Sequence, residues 1–320
     1  MNYFNPRHLQ AFVSAAESGS MVKAASLLHM GQPAFSQAIS NLEAIAGVKL
    51  MTRSTRSLQL TPAGLVFFRD AQRVLEMNKR LMLNTRQWTN GQQGSVCVLS
   101  IPSVAHLLLP MVVKSYVDMH PEVEIQVHDH PDPQLRLLME SGEGDFAIFS
   151  NAHQAENLKN LHILNDRLRW VGCSTDLLAQ QQQISLKDLK RQQFIVMRRG
   201  AIRNMVNPLL DKIKGPVPLI EVDQMSTLVG MVAAGLGMTF LPSLSCQSST
   251  HAQTTHRALT FGDFHRAIHI TRSIDRDLMP CTIDFLRLFI SQLQNGHFPL
   301  QEGVESSFLS DADIDIFLSQ

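Results

Sequence analysis

Apolar residues in the first fifty positions recur every three or four residues, which is the spacing of one face of an amphipathic helix. Three helices are predicted from this pattern, with apolar positions Leu9, Phe12, Val13 and Ala16 in the first, Val22, Ala24, Ala25 and Leu28 in the second, and Phe35, Ile39 and Leu42 in the third. The ends of these predicted helices fall at residues that commonly start or stop a helix. Gly19 ends the first helix, Ser20 can cap the second, and Pro33 and Gly47 suit the start and the end of the third.

A short hairpin and then a long helix are predicted after the third helix. Residues 53–60 alternate so that two arginines point away from Leu58 and Leu60. Residues 63–89 carry a heptad pattern with a mostly apolar seam, formed by Phe67, Ala71, Val74, Asn78, Leu81, Thr85 and Trp88. Such a helix either packs on its own domain or pairs with a second copy of the chain. Residues 91–94 form a hinge to the remaining chain.

Strands and helices alternate in the body of the chain. Strands are predicted at 96–101, 123–127 and 145–149, and helices at 104–119 and 132–141 lie between them. Regular alternation with helices of this length indicates parallel α/β layers. The predicted fold class is therefore α/β, preceded by a mainly helical N-terminal unit.

Charge and composition narrow the class of protein. The 320 residues contain 28 Lys and Arg against 28 Asp and Glu, but residues 1–90 hold ten of these bases and only four of these acids. A basic N-terminal unit on a more acidic body indicates that the first part meets a polyanion. No stretch approaches the roughly 18–20 apolar residues of a membrane helix, and the N-terminus lacks the zones of a signal peptide. A cytoplasmic protein without a membrane partner is expected.

The third helix presents an outward face of short or amide-bearing side chains, namely Gln32, Ser36, Gln37, Ser40 and Asn41. Gln or Asn can bond bidentately to adenine in the major groove of DNA. Arg53 and Arg56 of the hairpin can lie on phosphates or enter the minor groove. The same pattern also fits an ordinary three-helix unit with a solvated polar face, and the pattern alone leaves both interpretations open.

Residues 9–64 carry a dense motif, LxxFVxAAExGSxxxAAxxLxxxQPAxSxxIxxLExxxGxxLxxRxxRxxxLTPAG. This stretch resembles the N-terminal domain of LysR-type transcriptional regulators. The resemblance implies a winged helix-turn-helix domain at 1–62 and a linker and dimerisation helix at 63–91. With the outward face of the third helix, it gives as candidate DNA-binding residues Gln32, Pro33, Ala34, Ser36, Gln37, Asn41, Arg53 and Arg56.

Three residues depart from the usual pattern of that family. Gly31 stands where Ser or Thr is common and weakens a helix cap by a few tenths of a kcal/mol. Met51 replaces the usual Phe with a side chain of similar volume, and Gln37 stands where Arg is frequent. Because Gln37 removes one positive charge from the third helix, we expect a changed base preference or a lower DNA affinity.

The body of the chain is similar to the effector-binding domain of the same family, over the segments 101–127, 141–149 and 225–243. That domain resembles a type II periplasmic binding protein, in which two α/β lobes are joined by two crossover strands. The resemblance places the effector-binding domain at 92–296. Its expected division is lobe one at 92–163 and 268–296, and lobe two at 164–267.

The effector of this fold is expected between the lobes, where free N–H groups at helix N-termini favour anions. Candidate residues follow strands or open helices, and they are Ser103, His130 and Phe149 in lobe one and Met197, Arg198, Arg199, Ser226 and Thr239 in lobe two. We predict a small carboxylate or similar anion, bonded by Ser103 and one of the two arginines. Alternatively, these arginines are surface charges or pair with acids of lobe one.

Other chemistry has weaker support in the sequence. His128 and His130 lie on one face of a predicted strand, but no third metal ligand is evident. The same holds for His265 and His269, which are four residues apart in another predicted strand. The four cysteines lie at least 35 residues apart, which favours structural thiols over a peroxide sensor or disulfides. Since no nucleophile, zinc, phosphate-loop or dinucleotide motif has a supportive context, we expect no enzyme, no metal and no cofactor.

Residues 297–320 form an acidic C-terminal extension with five acids and no Lys or Arg. The segment 310–320 predicts a short helix bearing Ile314, Ile316, Phe317 and Leu318. The extension is expected either to dock on a neighbouring subunit or to be disordered, as terminal segments often are.

These observations predict a sequence-specific regulator of transcription whose activity is modulated by a small-molecule effector. The family resemblance implies a homotetramer built as a dimer of dimers, with double-stranded promoter DNA and RNA polymerase as partners. The alternative is a cytoplasmic solute-binding or ligand-sequestering module without regulatory DNA binding. That alternative predicts no basic N-terminal unit, which residues 1–62 contradict.

Overall fold

Three helices around a small apolar core, a two-stranded hairpin and a long helix make up the N-terminal part of the protein. The structure is a computed structural model, and it describes residues 3–53, 58–90, 94–152, 155–190, 192–213 and 220–319. The N-terminal elements are α1 (Pro6–Ser18), α2 (Met21–Leu27), α3 (Gln32–Ala46), β1 (Met51–Arg53), β2 (Leu58–Leu60) and α4 (Pro62–Asn90). The predicted helices and the antiparallel hairpin are thus confirmed.

Local residue chemistry explains where these helices begin and end. The Ser20 hydroxyl accepts a hydrogen bond from the amide of Lys23, which makes Ser20 the N-cap of α2. Gly47 follows α3 with φ of 68°, a left-handed conformation that favours glycine. Gly31 precedes α3 without a side-chain cap, as the sequence predicts. The Thr61 hydroxyl accepts from the amide of Gly64 and begins α4.

Glu43 connects α3 to the hairpin from inside the domain. Its buried carboxylate accepts hydrogen bonds from the amides of Leu50 and Met51 at 3.0 and 3.2 Å, and the Lys49 ammonium lies 2.6 Å away. Burial by itself would raise the pKa of Glu43, but these hydrogen bonds outweigh it and hold the pKa below its ordinary value. The ionised carboxylate therefore stabilises the folded domain.

Replacing Glu43 with glutamine should lower the free energy of unfolding by about 1–3 kcal/mol at pH 7, because a charged acceptor of buried amides is lost. A carboxyl whose pKa is depressed in the folded state stabilises above its unfolded pKa of about 4.3, and this contribution disappears as pH falls through the folded value. Urea unfolding from pH 7 to pH 3 should therefore show the two proteins converging. The exposed Glu17, as E17Q, is the control; a constant difference at every pH would contradict the assignment.

The remaining elements form the α/β body of the chain. Its helices are α5 (Pro102–Leu107), α6 (Leu109–Met119), α7 (Asp132–Ser141), α8 (Ala201–Ile213), α9 (Met225–Ala233), α10 (Ser243–Ser248), α11 (Pro280–Gln294) and α12 (Asp311–Leu318). Its strands are β3 (Ser95–Ser100), β4 (Glu124–Asp129), β5 (Phe146–Phe149), β6 (Leu158–Cys173), β7 (Gln183–Ile184), β8 (Ile195–Met197), β9 (Ile220–Val222), β10 (Thr239–Pro242), β11 (Thr254–Leu259), β12 (His265–Ser273) and β13 (Val304–Ser306).

The long strand β6 connects two sheets. Strands β4, β3 and β5 are parallel, and β12 joins them to the first half of β6 in antiparallel pairing. The second half of β6 pairs with β10 and β11, and β8 and β9 form a separate parallel pair nearby. We use the name lobe one for the β3–β4–β5 side and lobe two for the β7–β11 side. This is the expected two-lobed α/β architecture with two crossover strands, β6 and β12.

Each lobe has its own apolar core. In lobe one, β3 and β5 pack against α5, α6 and α11 around Tyr116, Phe146, Phe285 and Phe289. In lobe two, one layer around Trp170 and Phe240 includes α8, and a second layer on Val171 and Leu241 includes α9. The predicted single helix at 104–119 is wrong at its centre, because it is broken at Leu108 into α5 and α6. Pro110 supplies no amide hydrogen and its ring opposes a continuous helix there.

The C-terminal extension folds back on its own chain, so the expectation of disorder is wrong, and docking on a neighbouring subunit stays a prediction. Strand β13 pairs with β6, and α12 buries Ile314, Phe317 and Leu318 in the core of lobe one. The predicted terminal helix is confirmed, and Ser310 and Asp313 form its capping box.

Two compact units are distinguished along the chain: residues 1–94, and residues 95–320 without the short segment Glu140–Glu143. Among the described helices, none combines the length and the apolar character that crossing a membrane requires. The domain boundaries expected from the sequence stay predictions.

Candidate functional sites

The outer face of α3 is the first candidate site. The side chains of Gln32, Pro33, Ala34, Gln37 and Asn41 are exposed, and Ser36 is half-buried. On the opposite side of the helix, Phe35, Ala38, Ile39 and Leu42 are buried in the domain core. The side-chain amide of Gln37 donates to the Asn41 carboxamide oxygen at 2.8 Å. This bond aligns two amide groups one turn apart, and each keeps donors and acceptors for a further partner.

The two hairpin arginines were predicted as the second part of the DNA-binding surface. Arg56 and the side chain of Arg53 lie outside the described residues. The hairpin strands on either side do pair as predicted, with Met51 opposite Leu60.

The seam of α4 divides into two parts. Phe67 packs edge-to-face against Phe12, with ring centroids 5.3 Å apart, and Ala71 is buried, so the first part packs on its own domain. Further along, the described side chains of Val74 and Leu81 are exposed. Asn78 is half-buried, and the side chains of Thr85 and Trp88 lie outside the described residues.

An apolar groove lies beside this helix. It has a volume of about 660 Å³ and is lined mostly by apolar side chains, including Phe4, Val48, Leu50, Val66, Phe67 and Val74. Exposed apolar positions that continue along one helix mark a surface that a partner can cover.

In the body, a buried polar cluster joins the start of α5 to the crossover strands. The Arg266 guanidinium on β12 donates to the Ser103 hydroxyl at 2.8 Å and forms an ion pair with Asp166 on β6, also at 2.8 Å. All three side chains are almost completely buried. A third contact joins Arg266 to the hydroxyl of Ser150, just after β5, at 3.4 Å.

Asp166 extends this cluster toward lobe two. Its carboxylate accepts a hydrogen bond from the amide of Leu244, in the first turn of α10, at 3.1 Å. Burial raises the pKa of the Asp166 carboxyl, against the lowering effect of the Arg266 guanidinium and of the Leu244 amide. One buried ion pair therefore connects the N-terminus of α5 with the first turn of α10, which follows β10 of lobe two and buries Leu244 in the lobe-one core.

The other predicted lobe-one residues differ in exposure. His130 is half-buried directly after β4, and its amide donates to the carbonyl of Ser100. The Phe149 ring is completely buried in the core of lobe one. In lobe two, Thr239 is buried at the start of β10, and Met197 is half-buried against the α9 layer.

Arg198 and Arg199 both pair with the same acid. Their guanidinium groups lie 3.2 and 3.7 Å from the carboxylate of Asp223, and all three side chains are exposed. Their acid partner in the structure therefore belongs to lobe two, whereas the sequence alternative named acids of lobe one, and effector contact by either arginine stays a prediction. Ser226 is exposed in the first turn of α9, close to Asp223 in the chain.

None of the four cysteines, all of which lie within the described residues, forms a disulfide. Burial raises the pKa of Cys246 to about 12 and also raises that of Cys281. Cys97 is buried in β3, in agreement with a structural thiol. Cys173 differs from the sequence expectation, because it is half-buried at the end of β6 and a hydrogen bond with the Thr175 hydroxyl lowers its pKa.

Sequence reasoning missed Arg266 and Asp166. They are 100 residues apart, and neither lies in a motif. The available signal was an arginine and an aspartate within segments that the resemblance assigns to the crossover between lobes, where a charge must be paired.

Both parts of the chain match known family models. Residues 6–65 match the family model described as "Bacterial regulatory helix-turn-helix protein, lysR family". Residues 89–294 match the model described as "LysR substrate binding domain".

Relatives and solved structures cover most of the chain. The uncharacterized HTH-type transcriptional regulator YbhD of Escherichia coli (strain K12) is 26% identical over 286 residues, which are 88% of this chain and 90% of YbhD. The hydrogen peroxide-inducible genes activator of Dickeya chrysanthemi is 28% identical over 249 residues, 75% of this chain and 80% of that protein. The crystal structure of CbnR, a LysR family transcriptional regulator, superimposes with a TM-score of 0.74 at 19% identity, over 90% of this chain and 99% of CbnR. At that identity, the similarity to CbnR shows a shared fold.

Proposed function

The chain belongs to the LysR family of bacterial transcriptional regulators, and from that premise we propose which residues read DNA, which hold the effector and how subunits assemble. It is a DNA-binding transcriptional regulator with an effector-binding domain. We further propose that it acts in the cytoplasm, where it reaches promoter DNA and RNA polymerase, and that it has no enzymatic activity and needs no cofactor.

The DNA-reading surface is the outer face of α3. The observation that carries this proposal is the exposed polar face, opposite a fully packed apolar one, within the matched helix-turn-helix region. In this proposal α3 enters the major groove, and Gln32, Ser36, Gln37 and Asn41 contact base edges. Pro33 and Ala34 lie at the N-terminal end of the helix and would face the sugar-phosphate backbone of the DNA. Arg53 and Arg56 of the hairpin bind phosphates or the minor groove.

The effector site is the region between the lobes around the start of α5. Ser103 is its central residue, because its hydroxyl already accepts a hydrogen bond from a buried guanidinium. Because this hydroxyl accepts from Arg266, its own O–H can donate to an effector carboxylate, and such a charge-assisted hydrogen bond is about twice as strong as a neutral one. The proposed set keeps the remaining predicted residues, which are His130, Phe149, Met197, Arg198, Arg199, Ser226 and Thr239.

The proposed assembly is a homodimer through α4, and two dimers then form a tetramer. The groove beside α4 and the exposed Val74 and Leu81 support the first step, because they continue one apolar seam. Paired DNA-binding domains would read an inverted repeat, since the symmetry of a dimer is matched by the symmetry of its site.

Selection of genomic DNA fragments by the purified full-length protein tests this function. We expect a shared, interrupted inverted repeat upstream of a few genes. On that repeat, the variants Arg53→Ala and Arg56→Ala should each lower the slope of log affinity against log salt by about one, the value for one lost phosphate contact.

Two results would contradict the proposal. Unchanged salt slopes would remove the hairpin arginines from the interface. Recovery of fragments without a common motif would favour the ligand-sequestering alternative, in which the N-terminal domain holds DNA through phosphates only.

A further inference from the structure

The C-terminal segment 297–319, which we call the strap, lies beyond the matched effector-domain model, which ends at residue 294. We propose that the strap is an intramolecular clamp across the hinge between the two lobes, fixed permanently to lobe one and held releasably on lobe two. The argument rests on three sets of contacts, which follow the strap from its start to its end.

The strap begins and ends on lobe one, and both attachments are apolar. At its start, the Phe298 ring is buried against Phe289 of α11, with centroids 5.9 Å apart. At its end, Leu309, Ile314, Phe317 and Leu318 are buried in the lobe-one core. Burial of this many apolar side chains makes the attachment of the strap to lobe one stable.

Basic side chains of both crossover strands hold the last turn of α12. Arg272 of β12 donates to the carbonyls of Phe317 and Ser319, and its side chain is almost completely buried. Lys159 of β6 donates to the carbonyls of Ile316 and Ser319, at 3.1 and 2.8 Å. Cations at a helix C-terminus satisfy its free carbonyls and its dipole. The end of the strap is therefore fixed to the strands that form the hinge.

Between these attachments, the strap reaches lobe two through polar contacts. The Arg169 guanidinium on β6 donates to the Glu302 carbonyl at 2.6 Å and approaches its carboxylate at 3.2 Å. The amide of Arg167 donates to the Gly303 carbonyl at 2.8 Å. Gly303 adopts φ of +93°, and a Cβ there would lie 2.5 Å from the Ser243 hydroxyl oxygen at the start of α10.

Directly after this contact, the strap follows β6 through the point where it passes from one lobe to the other. Val304, Glu305 and Ser306 pair with 164–166, the same short segment that contains Asp166. Any rotation of the lobes about β6 must change the backbone at this segment. A strand hydrogen-bonded along it, and attached on both sides of it, opposes that change.

The contact with lobe two is the weaker of the two attachments. A cavity of about 170 Å³ remains between the strap and lobe two, lined in part by Arg167, Phe264, Glu302 and Glu305. The ion pair of Arg167 with Glu305 is exposed, and such pairs contribute little. Because few apolar groups are buried there, this is the part that releases first. Two of the five acids of the extension face arginines of β6, which accounts for part of its acidic composition.

The consequence for regulation rests on the proposed function. A ligand shifts the equilibrium between two lobe arrangements only by its difference in affinity for them. A strap that stabilises one lobe arrangement raises the difference in affinity that the effector needs in order to shift the equilibrium to the other arrangement. The clamp itself does not depend on the identity of the effector or on DNA.

Hydrogen exchange of the full-length protein, read by mass spectrometry without DNA or ligand, tests the clamp. The variant carries Glu302→Ala and Gly303→Ala, which remove the carboxylate from Arg169 and add a Cβ toward Ser243. The control is Ile316→Ser, an exposed position on the lobe-one end of the same strap. Exchange in β13 reports detachment of the strap, and exchange in α5, which packs on α10, reports separation of the lobes.

We expect the double variant to exchange about tenfold faster or more both in β13 and in α5, mainly because a non-glycine residue is strained at the φ of residue 303 and its Cβ crowds Ser243. The control should match the wild type in both regions. Faster exchange in β13 with unchanged α5 would overturn the proposal, because the strap would then be a surface attachment with no effect on the lobes. Unchanged exchange in β13 would also overturn it, because the contact with Arg169 would not hold the strap.

Discussion

Replacing Arg266 with methionine is expected to lower the free energy of unfolding of the effector-binding domain by about 3–5 kcal/mol, because removal of one partner leaves a buried charge without compensation. Asp166, the charge left behind, is completely buried. Chemical denaturation followed by far-UV circular dichroism measures the loss. The control Ser103→Ala removes a neutral acceptor and keeps the ion pair, so about 1 kcal/mol is expected for it.

The pH dependence of this variant has a defined sign. Without Arg266, burial raises the pKa of the Asp166 carboxyl with less opposition than in the wild type. A carboxyl with a raised folded pKa lowers stability progressively as pH rises through that value. The Arg266→Met protein should therefore regain stability as pH falls toward the unfolded carboxyl pKa of about 3.9. The double variant Arg266→Met with Asp166→Leu should recover most of the loss at every pH, since apolar replacement of a buried pair is often neutral. An equal defect in the single and double variants would show that the pair is not the cause.

The variant Ser103→Ala also separates an effect on folding from an effect on regulation. Ser103→Ala should bind operator DNA as the wild type does and respond less to the effector, because the proposed site lies around this hydroxyl. A full response by Ser103→Ala would remove Ser103 from the effector site. Loss of operator binding would instead indicate that the substitution acts through folding.

Replacing Gln37 with alanine is expected to weaken binding to the selected operator by roughly 5- to 150-fold, the factor for 1–3 kcal/mol of one bidentate base contact. The loss should be confined to operators with the preferred base at one half-site position. Fluorescence anisotropy on the operator and on its single-base variants measures this. Gln37 bonds to Asn41 at 2.8 Å, so the double variant with Asn41→Ala should lose less than the sum of the two single losses.

Gln37→Arg provides a second, independent measurement. An added guanidinium on this face should shift the preference at that position toward guanine and steepen the salt slope by about one. If Gln37→Ala weakens every operator variant equally, Gln37 contributes to affinity without reading a base. If it weakens none, the outer face of α3 is not the reading surface at this position.

Local sequence signals were sufficient for the N-terminal domain. Helices α1 to α3 were predicted from apolar spacing and from capping residues such as Ser20 and Gly47, and each is present. These signals work because helix periodicity and caps involve residues within about one turn of each other. Pro110 by itself does not predict the break at Leu108, since a proline is also tolerated in the first turn of a helix.

The strap shows why the rest required the tertiary structure. Its composition predicts an acidic terminal helix, and the helix is present, but its place on lobe one of the same chain does not follow from its composition. An acidic amphipathic segment fits any basic and apolar surface, and nothing in its own residues specifies which one. The location depends on Arg169 and Lys159 of β6, which are 133 and 160 residues from their strap partners, and on Arg272 of β12, which is 45 residues from Phe317.

The sequence by itself determined the helical and α/β elements, the LysR-type motif, the basic N-terminal unit and the polar face of α3, because each is encoded in local spacing or composition. Only the tertiary structure decided that Arg266 pairs with Asp166 beneath Ser103, that Arg198 and Arg199 are already paired with Asp223, and that the C-terminal extension crosses the hinge. Burial and ion pairing are properties of surfaces that meet after folding, and the free energy of a charge depends on which partner meets it there.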